Sequence, residues 1–371
     1  MQQQIYIQNA ISLITKEVNR ISPKSVLLVT GATSYTACGA QDFIQSLFNK
    51  SVMHRFCNFD TNPKIEDVRS GIEFCNKKNI DLIVAIGGGS AIDMAKLIRC
   101  YMHCNTELET TIITNHIPPP NSLPLMAIPT TAGTGSESTK FAVVYVDKVK
   151  YSVSHDSLLP NYAVIIPKFT YNSSKYLTAA TGADALCQAI ESYWSVLSTD
   201  ESREYAKEAI IELWQHLPQA LNNNLESRDQ VAIAANLAGR AINISLTTAA
   251  HAYSYGFTTY LNIPHGHAVA LTLPFFFNEN LNVSTQNCND TRGISFVKER
   301  MNELLSFIKS TPEKALLDLK QYFNTLFPDN ENIISAIDKL TWKNIVSSVN
   351  MQRLQNNPIK NRFIFEISDL K

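Results

Sequence analysis

Short apolar runs alternate with stretches of helical hydrophobic spacing through the first half of the chain. The apolar runs lie at 24–31, 51–59, 81–89 and 123–131, and the helical patterns lie between them at 36–49, 64–79 and 90–103. Runs such as 81–86 do not alternate with polar residues, which is typical of strands covered on both faces. This order of strands and helices predicts a parallel sheet. A hairpin is predicted at 141–146 and 151–155, and the proline-containing stretch 104–122 predicts a surface loop.

The second half of the chain changes character after about Pro167. Runs of β-branched residues become rare, and alanine, leucine, glutamate and lysine recur at helical spacing over 174–197, 200–223, 229–246 and 294–309. Pro264 marks the start of another helix. With 371 residues the chain is long enough for two hydrophobic cores. We therefore predict an α/β domain with a parallel sheet over residues 1–168 and an all-α domain over residues 169–371.

Composition narrows the class of protein but does not select a function. The chain is 45% hydrophobic and 18% charged with a formal net charge of −1, so nothing favours nucleic acid or an anionic membrane as a partner. The first 20 residues lack a secretion signal, and no apolar stretch is long enough to span a membrane, so we expect a cytoplasmic protein. The seven cysteines include no CxxC pair, which predicts free thiols.

Two predicted strands end in turns that suit a phosphate group. GGGSAIDMAK (87–96) opens a helix, so its backbone N–H groups would face an anion, and PTTAGTGSES (129–138) adds hydroxyl groups. Open parallel sheets bind ligands at this edge, so both turns together indicate a dinucleotide, although an ordinary strand-to-helix turn remains the alternative. The candidate contacts are Gly87, Gly88, Gly89, Ser90, Thr130, Thr131 and Thr134.

The turn VTGATS (29–34) bears on which dinucleotide is bound. A carboxylate at such a position usually binds the adenosine ribose diol, whereas Gly31 leaves space for a 2′-phosphate. Thr33, Ser34 and a nearby cation would hold that phosphate. The turn therefore favours NADP(H) over NAD(H), with a turn of no ligand-binding role as the alternative.

One helix and the segment 247–271 supply candidate metal ligands. Asp184 and Gln188 are one helical turn apart, so their side chains share a face. His251 lies in an apolar stretch, and His265 follows Pro264. If their helices pack together, a carboxylate, an amide oxygen and two imidazoles converge, which suits Fe(II), Zn(II) or Mn(II). Histidines satisfied inside the core are the alternative.

Four motifs occur in the order found in the iron-dependent alcohol dehydrogenases, and the chain resembles this family through most of residues 20–360. The motifs are GGGSAIDMAK, PTTAGTGSE, TGADALCQAIESYWS and HAYSYGFTTYLNIPHGHA. The resemblance implies a dinucleotide-binding α/β domain and a helical metal- and substrate-binding domain, in the architecture shared with dehydroquinate synthases. It implies a metal, Fe(II) in first place, on Asp184, Gln188, His251 and His265. It also implies cofactor contacts at Asn62, Asp93 and Lys150.

Two positions depart from the family pattern. Gln188 occupies the place of a ligand that is usually histidine, and an amide is a poorer donor to Fe(II) or Zn(II) than imidazole. Gly31 occupies the place of a common aspartate, which agrees with the expectation of NADP(H). These departures bear on metal affinity and on the choice of nucleotide.

The third and fourth motifs are similar to the phosphonoacetaldehyde reductase branch of the family. This similarity implies reduction of phosphonoacetaldehyde to 2-hydroxyethylphosphonate by a hydride from NADPH or NADH, in phosphonate biosynthesis. Arg240, His267 and Arg353 are candidate partners for the dianionic headgroup. His267 is also the candidate for returning a proton to the alkoxide, because an unperturbed histidine titrates near neutral pH.

Other functions stay open at the level of sequence. They are a dehydrogenase of a neutral short-chain alcohol or diol, a lyase resembling dehydroquinate synthases, and a nucleotide-binding protein whose metal site was lost with the change to Gln188. In each enzymatic case the partner is a small molecule. From the resemblance we expect a homodimer.

Overall fold

The computed structural model describes residues 3–7, 9–76, 78–104, 106–119, 122–147, 149–360 and 365–370. The chain divides into two compact units, Met1–Ser173 and Ser174–Lys371. The boundary between them lies close to the one expected after residue 168. An α/β unit is followed by a helical unit, as the sequence predicts.

Among the described residues of the first unit, six strands form one sheet. They are β1 (Gln4–Tyr6), β2 (Ser25–Thr30), β3 (Val52–Phe56), β4 (Leu82–Gly87), β5 (Leu125–Pro129) and β8 (Tyr162–Val164), in the order β1-β8-β5-β4-β2-β3. Each pairing is parallel, so the predicted parallel sheet is confirmed. The predicted hairpin is also confirmed, as the antiparallel pair β6 (Phe141–Val146) and β7 (Val149–Ser154).

The core of the first unit lies on both faces of this sheet. Leu27 and Val29 of β2 belong to one buried cluster, and Val26 and Leu28 belong to the other. Successive side chains of a strand point to opposite faces, so a strand covered on both sides is apolar throughout. The helices of the unit are α1 (Ala10–Ile21), α2 (Ser34–Ala37), α3 (Ala40–Leu47), α4 (Ile65–Cys75), α5 (Gly89–Tyr101) and α6 (Leu108–Ile113).

Two predictions for this unit are wrong in detail. The helix expected at 36–49 is divided into α2 and α3, because Gly39 between them has a φ of 78°, in the left-handed region. The loop expected at 104–122 contains α6, whose first turn is capped by Glu107, a side chain that accepts from the backbone N–H of Thr110. Asn105, Pro120 and Asn121 of that stretch lie outside the described residues. The strands β1 and β8 have no predicted counterpart, since three residues carry too little periodicity.

The second unit is built of helices. They are α7 (Lys175–Trp194), α8 (Asp200–Ala220), α9 (Leu225–Ser245), α10 (Ala249–Leu261), α11 (His265–Leu281), α12 (Ile294–Phe307), α13 (Ala315–Leu326), α14 (Asn330–Ser335), α15 (Lys339–Ser347), α16 (Met351–Leu354) and α17 (Ile367–Leu370). The four long helices predicted from spacing correspond to α7, α8, α9 and α12, and α11 begins directly after Pro264 as predicted. Helix α7 packs against α8, α9 and α11, so it is central to the unit. None of the described helices is long and apolar enough to cross a membrane.

Candidate metal centre and nucleotide-binding edge

Helix α7 brings a carboxylate and an amide together in the interior of the second unit. Asp184 and Gln188 are 4% and 5% exposed, and Gln188 Nε2 donates to Asp184 Oδ2 over 3.0 Å. The helix begins at the Ser174 cap, whose hydroxyl accepts from the backbone N–H of Leu177. Most of the residues that follow are small or apolar, and most of the helix is buried. Two polar side chains on one face of so apolar a helix need partners from other helices.

Helices α10 and α11 each bring an imidazole to this face. Asp184, His251 and His265 offer ligand atoms that all lie within 4.8 Å of one another. His251 Nε2 is 3.3 Å from Asp184 Oδ1, and the two imidazole rings have their centroids 5.4 Å apart. Ligands of one ion with bonds of about 2 Å lie up to about 4 Å apart, so small side-chain rotations would bring these atoms to coordination distance.

Close packing of α11 on α7 depends on Gly266. A Cβ built at this residue would lie 1.9 Å from the backbone oxygen of Ala180 and 2.8 Å from the Cβ of Asp184. No side chain fits such a gap, so glycine allows the start of α11 to approach α7. The neighbouring residue, His265, is thereby held next to Asp184.

Gln188 provides the clearest test of whether these residues fit a metal. Its Oε1 is buried, and among the described residues no group donates a hydrogen bond to it. An unsatisfied buried acceptor costs about 1–3 kcal/mol. A divalent cation bound by Asp184, His251 and His265 would satisfy this oxygen. The residues present therefore fit an oxygen- and nitrogen-ligated divalent metal.

Glu191 lies directly behind His251. Its Oε2 forms a hydrogen bond with His251 Nδ1, and its Oε1 accepts from the backbone N–H and the hydroxyl of Thr248 and from the backbone N–H of His251. Burial lowers the pKa of His251, but the charge of Glu191 and hydrogen bonds to Asp184 and Glu191 raise it overall, to about 9. With Nδ1 engaged by Glu191, Nε2 is the nitrogen that faces Asp184. Carboxylates in this position orient metal-binding imidazoles in many proteins.

A stack of side chains extends from His265. The ring of Tyr255 lies parallel to the His265 ring with centroids 5.4 Å apart, and the Arg353 guanidinium lies over Tyr255 at 5.9 Å. Arg353 also donates to the hydroxyl of Thr247. No ion pair among the described residues includes Arg353, so its charge stays available near the metal-ligand candidates.

His267, two residues beyond His265, has different surroundings. Its Nδ1 is 3.0 Å from the hydroxyl of Tyr176, its Nε2 is 2.7 Å from Asn330 Oδ1, and its ring stacks on Phe327 at 3.9 Å. Burial lowers the pKa of His267, which therefore stays neutral near physiological pH. Both ring nitrogens have protein partners, so any proton transfer would require one of these hydrogen bonds to open.

In the first unit, three turns lie side by side where β5, β4 and β2 end. A Cβ at Gly87 would come within 3.6 Å of the Gly31 backbone nitrogen, and one at Gly88 would lie 3.3 Å from the Thr131 hydroxyl. A Cβ at Gly89 would lie 2.9 Å from the Thr134 hydroxyl. The candidate contacts of all three predicted turns therefore share one edge of the sheet, the carboxyl end of parallel strands. Asn62 joins them, since its backbone N–H donates to the hydroxyl of Ser90 over 3.0 Å.

Asp93 and Lys96 of α5 connect this edge internally. Asp93 accepts from the hydroxyl of Ser136 and the backbone N–H of Val143, while Lys96 Nζ donates to Ser136 Oγ and to two backbone oxygens. Burial raises the pKa of Asp93 and lowers the pKa of Lys96 to about 8, and each charge opposes the shift of the other. These bonds tie the two phosphate-type turns together. Both carboxylate oxygens of Asp93 thus accept hydrogen bonds from the protein. The positive charge of Lys150 is near enough to act on the pKa of Asp93, in the downward direction.

The two predicted arginines contact different aromatic rings. Arg353 is linked to His265 through Tyr255, whereas Arg240 stacks on Tyr205 at 3.8 Å. Glu191 and Tyr255 are not among the predicted site residues, although Glu191 follows Asp184 and Gln188 at the spacing of one helix face. Cys187, next to Gln188 in the chain, is fully buried.

Comparison with known proteins identifies the family. Residues 2–167 match the family model of iron-containing alcohol dehydrogenases, and residues 178–336 match that of the C-terminal region of the Fe-containing alcohol dehydrogenase family. The chain belongs to the iron-containing alcohol dehydrogenase family. It is therefore an oxidoreductase of the NAD(P)-linked alcohol and aldehyde class.

Three relatives illustrate the range of this family. The chain is 32% identical over 292 residues to 1,3-propanediol dehydrogenase of Citrobacter freundii, covering 74% of this chain and 72% of that enzyme. It is 31% identical over 254 residues to phosphonoacetaldehyde reductase of Streptomyces viridochromogenes, covering 65% and 64%. The crystal structure of sulfoacetaldehyde reductase from Bifidobacterium kashiwanohense in complex with NAD+ superimposes with a TM-score of 0.83 at 26% identity, covering 100% of this chain and 95% of that one.

Proposed function

We propose that this chain is a metal-dependent reductase that converts phosphonoacetaldehyde to 2-hydroxyethylphosphonate and prefers NADPH as hydride donor. The observation that carries the proposal is the convergence of Asp184, His251 and His265 beside Gln188, whose Oε1 has no hydrogen-bond partner in the part of the chain that the structure describes. Two of the relatives are named for two-carbon aldehydes with an oxyanion headgroup. The substrate class follows from that similarity and from the available charge of Arg353.

Asp184, Gln188, His251 and His265 would hold the divalent metal, Fe(II) in first place and Zn(II) or Mn(II) otherwise. Such a metal supplies Lewis acidity to a carbonyl oxygen, and the nicotinamide supplies the hydride. The protein's own contribution is a mostly buried set of donors that lie close together before any ligand binds. Glu191 keeps the His251 imidazole in one tautomer, and Gly266 keeps His265 beside Asp184.

The headgroup would be recognised by Arg353. A guanidinium binds an oxyanion by two parallel hydrogen bonds, which gives both affinity and orientation. Arg240 is less suited to this role because its guanidinium covers the ring of Tyr205. His267 remains the proposed proton relay: Tyr176, its partner at Nδ1, is 48% exposed and offers a route to water.

The nucleotide would lie across the three turns of the first unit. Backbone N–H groups at Gly87, Gly88, Gly89 and Ser90 would receive the pyrophosphate, and the hydroxyls of Thr130, Thr131 and Thr134 would add donors. Asn62 and Lys150 are further proposed contacts. Asp93 would act through Ser136, since its carboxylate already accepts from that hydroxyl.

The test is an aldehyde panel with a defined metal. Protein stripped with a chelator and reconstituted with Fe(II), Zn(II), Mn(II) or no metal is assayed for NADPH oxidation with phosphonoacetaldehyde and with acetaldehyde, its counterpart without the phosphonate. We expect metal-dependent turnover and a kcat/KM for phosphonoacetaldehyde about 100-fold or more above that for acetaldehyde, the scale of a charge-assisted bidentate contact.

Each other result points to a different function. Equal kcat/KM values for the two aldehydes would favour the second candidate, a dehydrogenase of a neutral alcohol or diol, which the similarity to 1,3-propanediol dehydrogenase supports. Nucleotide binding without turnover in any metal would indicate a protein that has lost catalysis. Turnover that consumes no NADPH would indicate a lyase.

A further inference from the structure

Arg55 reaches across the turn that follows β2. Its Nε donates to the hydroxyl of Thr30 over 2.9 Å, and its Nη2 donates to the backbone oxygens of Gly31 and Ala32 over 3.2 and 2.9 Å. Its guanidinium lies 4.9 Å from the ring centroid of Tyr35. These contacts fix the orientation of an exposed side chain from the neighbouring strand, β3.

Two donors of this guanidinium remain unused. A guanidinium carries five N–H donors, and the three on Nε and Nη2 match the three acceptors just described. Among the described residues, no acceptor is bonded to Nη1, and no carboxylate forms an ion pair with Arg55. A cation that is already oriented and has two free donors is suited to a phosphate.

The turn that Arg55 contacts, VTGATS (29–34), contains no acidic residue. Gly31 is where a ribose-binding carboxylate would stand in an NAD-type site, and such a carboxylate would repel a 2′-phosphate. A Cβ at Gly31 would lie 2.3 Å from the hydroxyl of Ser34, so that hydroxyl fills the place of the missing side chain. Thr33 precedes Ser34, and the Thr33 side chain forms no capping hydrogen bond with helix α2.

We propose that Arg55, with the hydroxyls of Thr33 and Ser34, forms the recognition site for the 2′-phosphate of NADP(H). The inference rests on the proposed function, in which the three turns of the first unit bind a dinucleotide. Gly31 lies beside Gly87, so the 2′-phosphate end and the pyrophosphate turn are neighbours on one sheet edge. Arg55 is then a specificity-determining residue. It lies on β3 and supplies a positive charge, which the turn 29–34 itself does not contain.

The experiment measures equilibrium binding without turnover. The affinities of NADPH and NADH are measured by nicotinamide fluorescence, and those of 2′-phosphoadenosine 5′-phosphate and AMP by calorimetry. We expect the wild type to bind each 2′-phosphorylated ligand more tightly, and Arg55→Gln to weaken those ligands by about 10- to 100-fold while changing NADH and AMP by less than about twofold. The affinity lost by raising salt should also shrink in the variant.

Two further variants make the result specific. Arg69→Gln removes an exposed arginine of the same unit that pairs with Glu107, and it should change no nucleotide affinity. Gly31→Asp in a Ser34→Ala background relieves the clash of the new side chain with the Ser34 hydroxyl and should shift preference toward NADH. If the wild type binds both dinucleotides and Arg55→Gln weakens them equally or not at all, the inference is overturned while the proposed function stands. If the wild type binds neither dinucleotide, the proposed function itself fails.

Discussion

The buried carboxylate of Glu191 bonds to His251 Nδ1 on the side of the imidazole opposite Asp184. Glu191 is fully buried, and its other oxygen is occupied by the turn that leads into α10. One carboxylate thus anchors both the backbone and the ring of a metal-ligand candidate. The arrangement would make His251 a directed donor, which matters because the neighbouring candidate ligand, Gln188, is an amide and therefore a weak donor.

Removing the charge of Glu191 tests this anchoring. In Glu191→Gln the side chain keeps its shape, but the imidazole loses its charged partner and becomes less basic at Nε2. We expect metal affinity to fall about 10- to 100-fold, measured by competition with a chromophoric chelator. Glu226→Gln, an exposed change at the start of α9, is the matched control. Equal metal affinity in both variants would contradict a positioning role.

Gln188 tests whether its amide oxygen is a ligand. Gln188→Leu keeps the volume but removes the donor, so the increase in Tm on adding Fe(II), Zn(II) or Mn(II) should shrink, because ligand stabilisation follows the ratio of metal concentration to Kd. The metal-free Tm should change little, since an unsatisfied oxygen and one hydrogen bond to Asp184 are lost together. An undiminished metal-induced shift would exclude Gln188 from the ligand set.

Gly266 should not tolerate a side chain. In Gly266→Ala the new methyl group collides with the Ala180 backbone, so α11 must move away from α7. We expect a loss of about 1–3 kcal/mol in the free energy of unfolding, together with weaker metal binding, measured by chemical denaturation and by metal titration. Gly39→Ala is the control: its φ is positive but its surroundings are open, so it should cost about 1 kcal/mol and leave metal binding unchanged.

Arg353 should affect one substrate and not another. Arg353→Gln is expected to raise the KM for phosphonoacetaldehyde by about 10- to 100-fold, the scale of a lost charge-assisted hydrogen bond, while the kinetics with acetaldehyde stay within about twofold. Arg240→Gln, a change on the Tyr205 stack, should alter neither. A parallel decline with both aldehydes would assign Arg353 to structure instead of headgroup recognition.

His267 can be tested with a variant that preserves the aromatic stack. Phenylalanine at this position keeps the contact with Phe327 but cannot carry a proton. As a relay, His267→Phe should lower kcat by about 100-fold or more, with a matching change in the pH profile of kcat. A variant with unchanged kcat across pH would leave His267 as a structural link between Tyr176 and Asn330.

Much of the site was visible along the chain because its signals are local. Asp184 and Gln188 share a face by helical geometry alone, and His265 begins a helix because proline precedes it. The turns after β4 and β5 were recognisable as glycine- and hydroxyl-rich segments at the ends of apolar runs. Glu191 lies on the same helix face as Asp184 and Gln188. The sequence does not distinguish it from an exposed surface glutamate, because its burial depends on the packing of other helices.

Periodicity along the chain was enough to predict the strands with two covered faces, the long helices and the residues that share a helix face. The folded chain was needed to show which distant residues meet. It set Arg353 and not Arg240 beside Tyr255, brought Arg55 over Gly31, and let α11 approach α7 at Gly266. The reason is physical: spacing within an element follows from backbone geometry, whereas contacts between elements depend on how side chains of different segments pack, and no single segment encodes that.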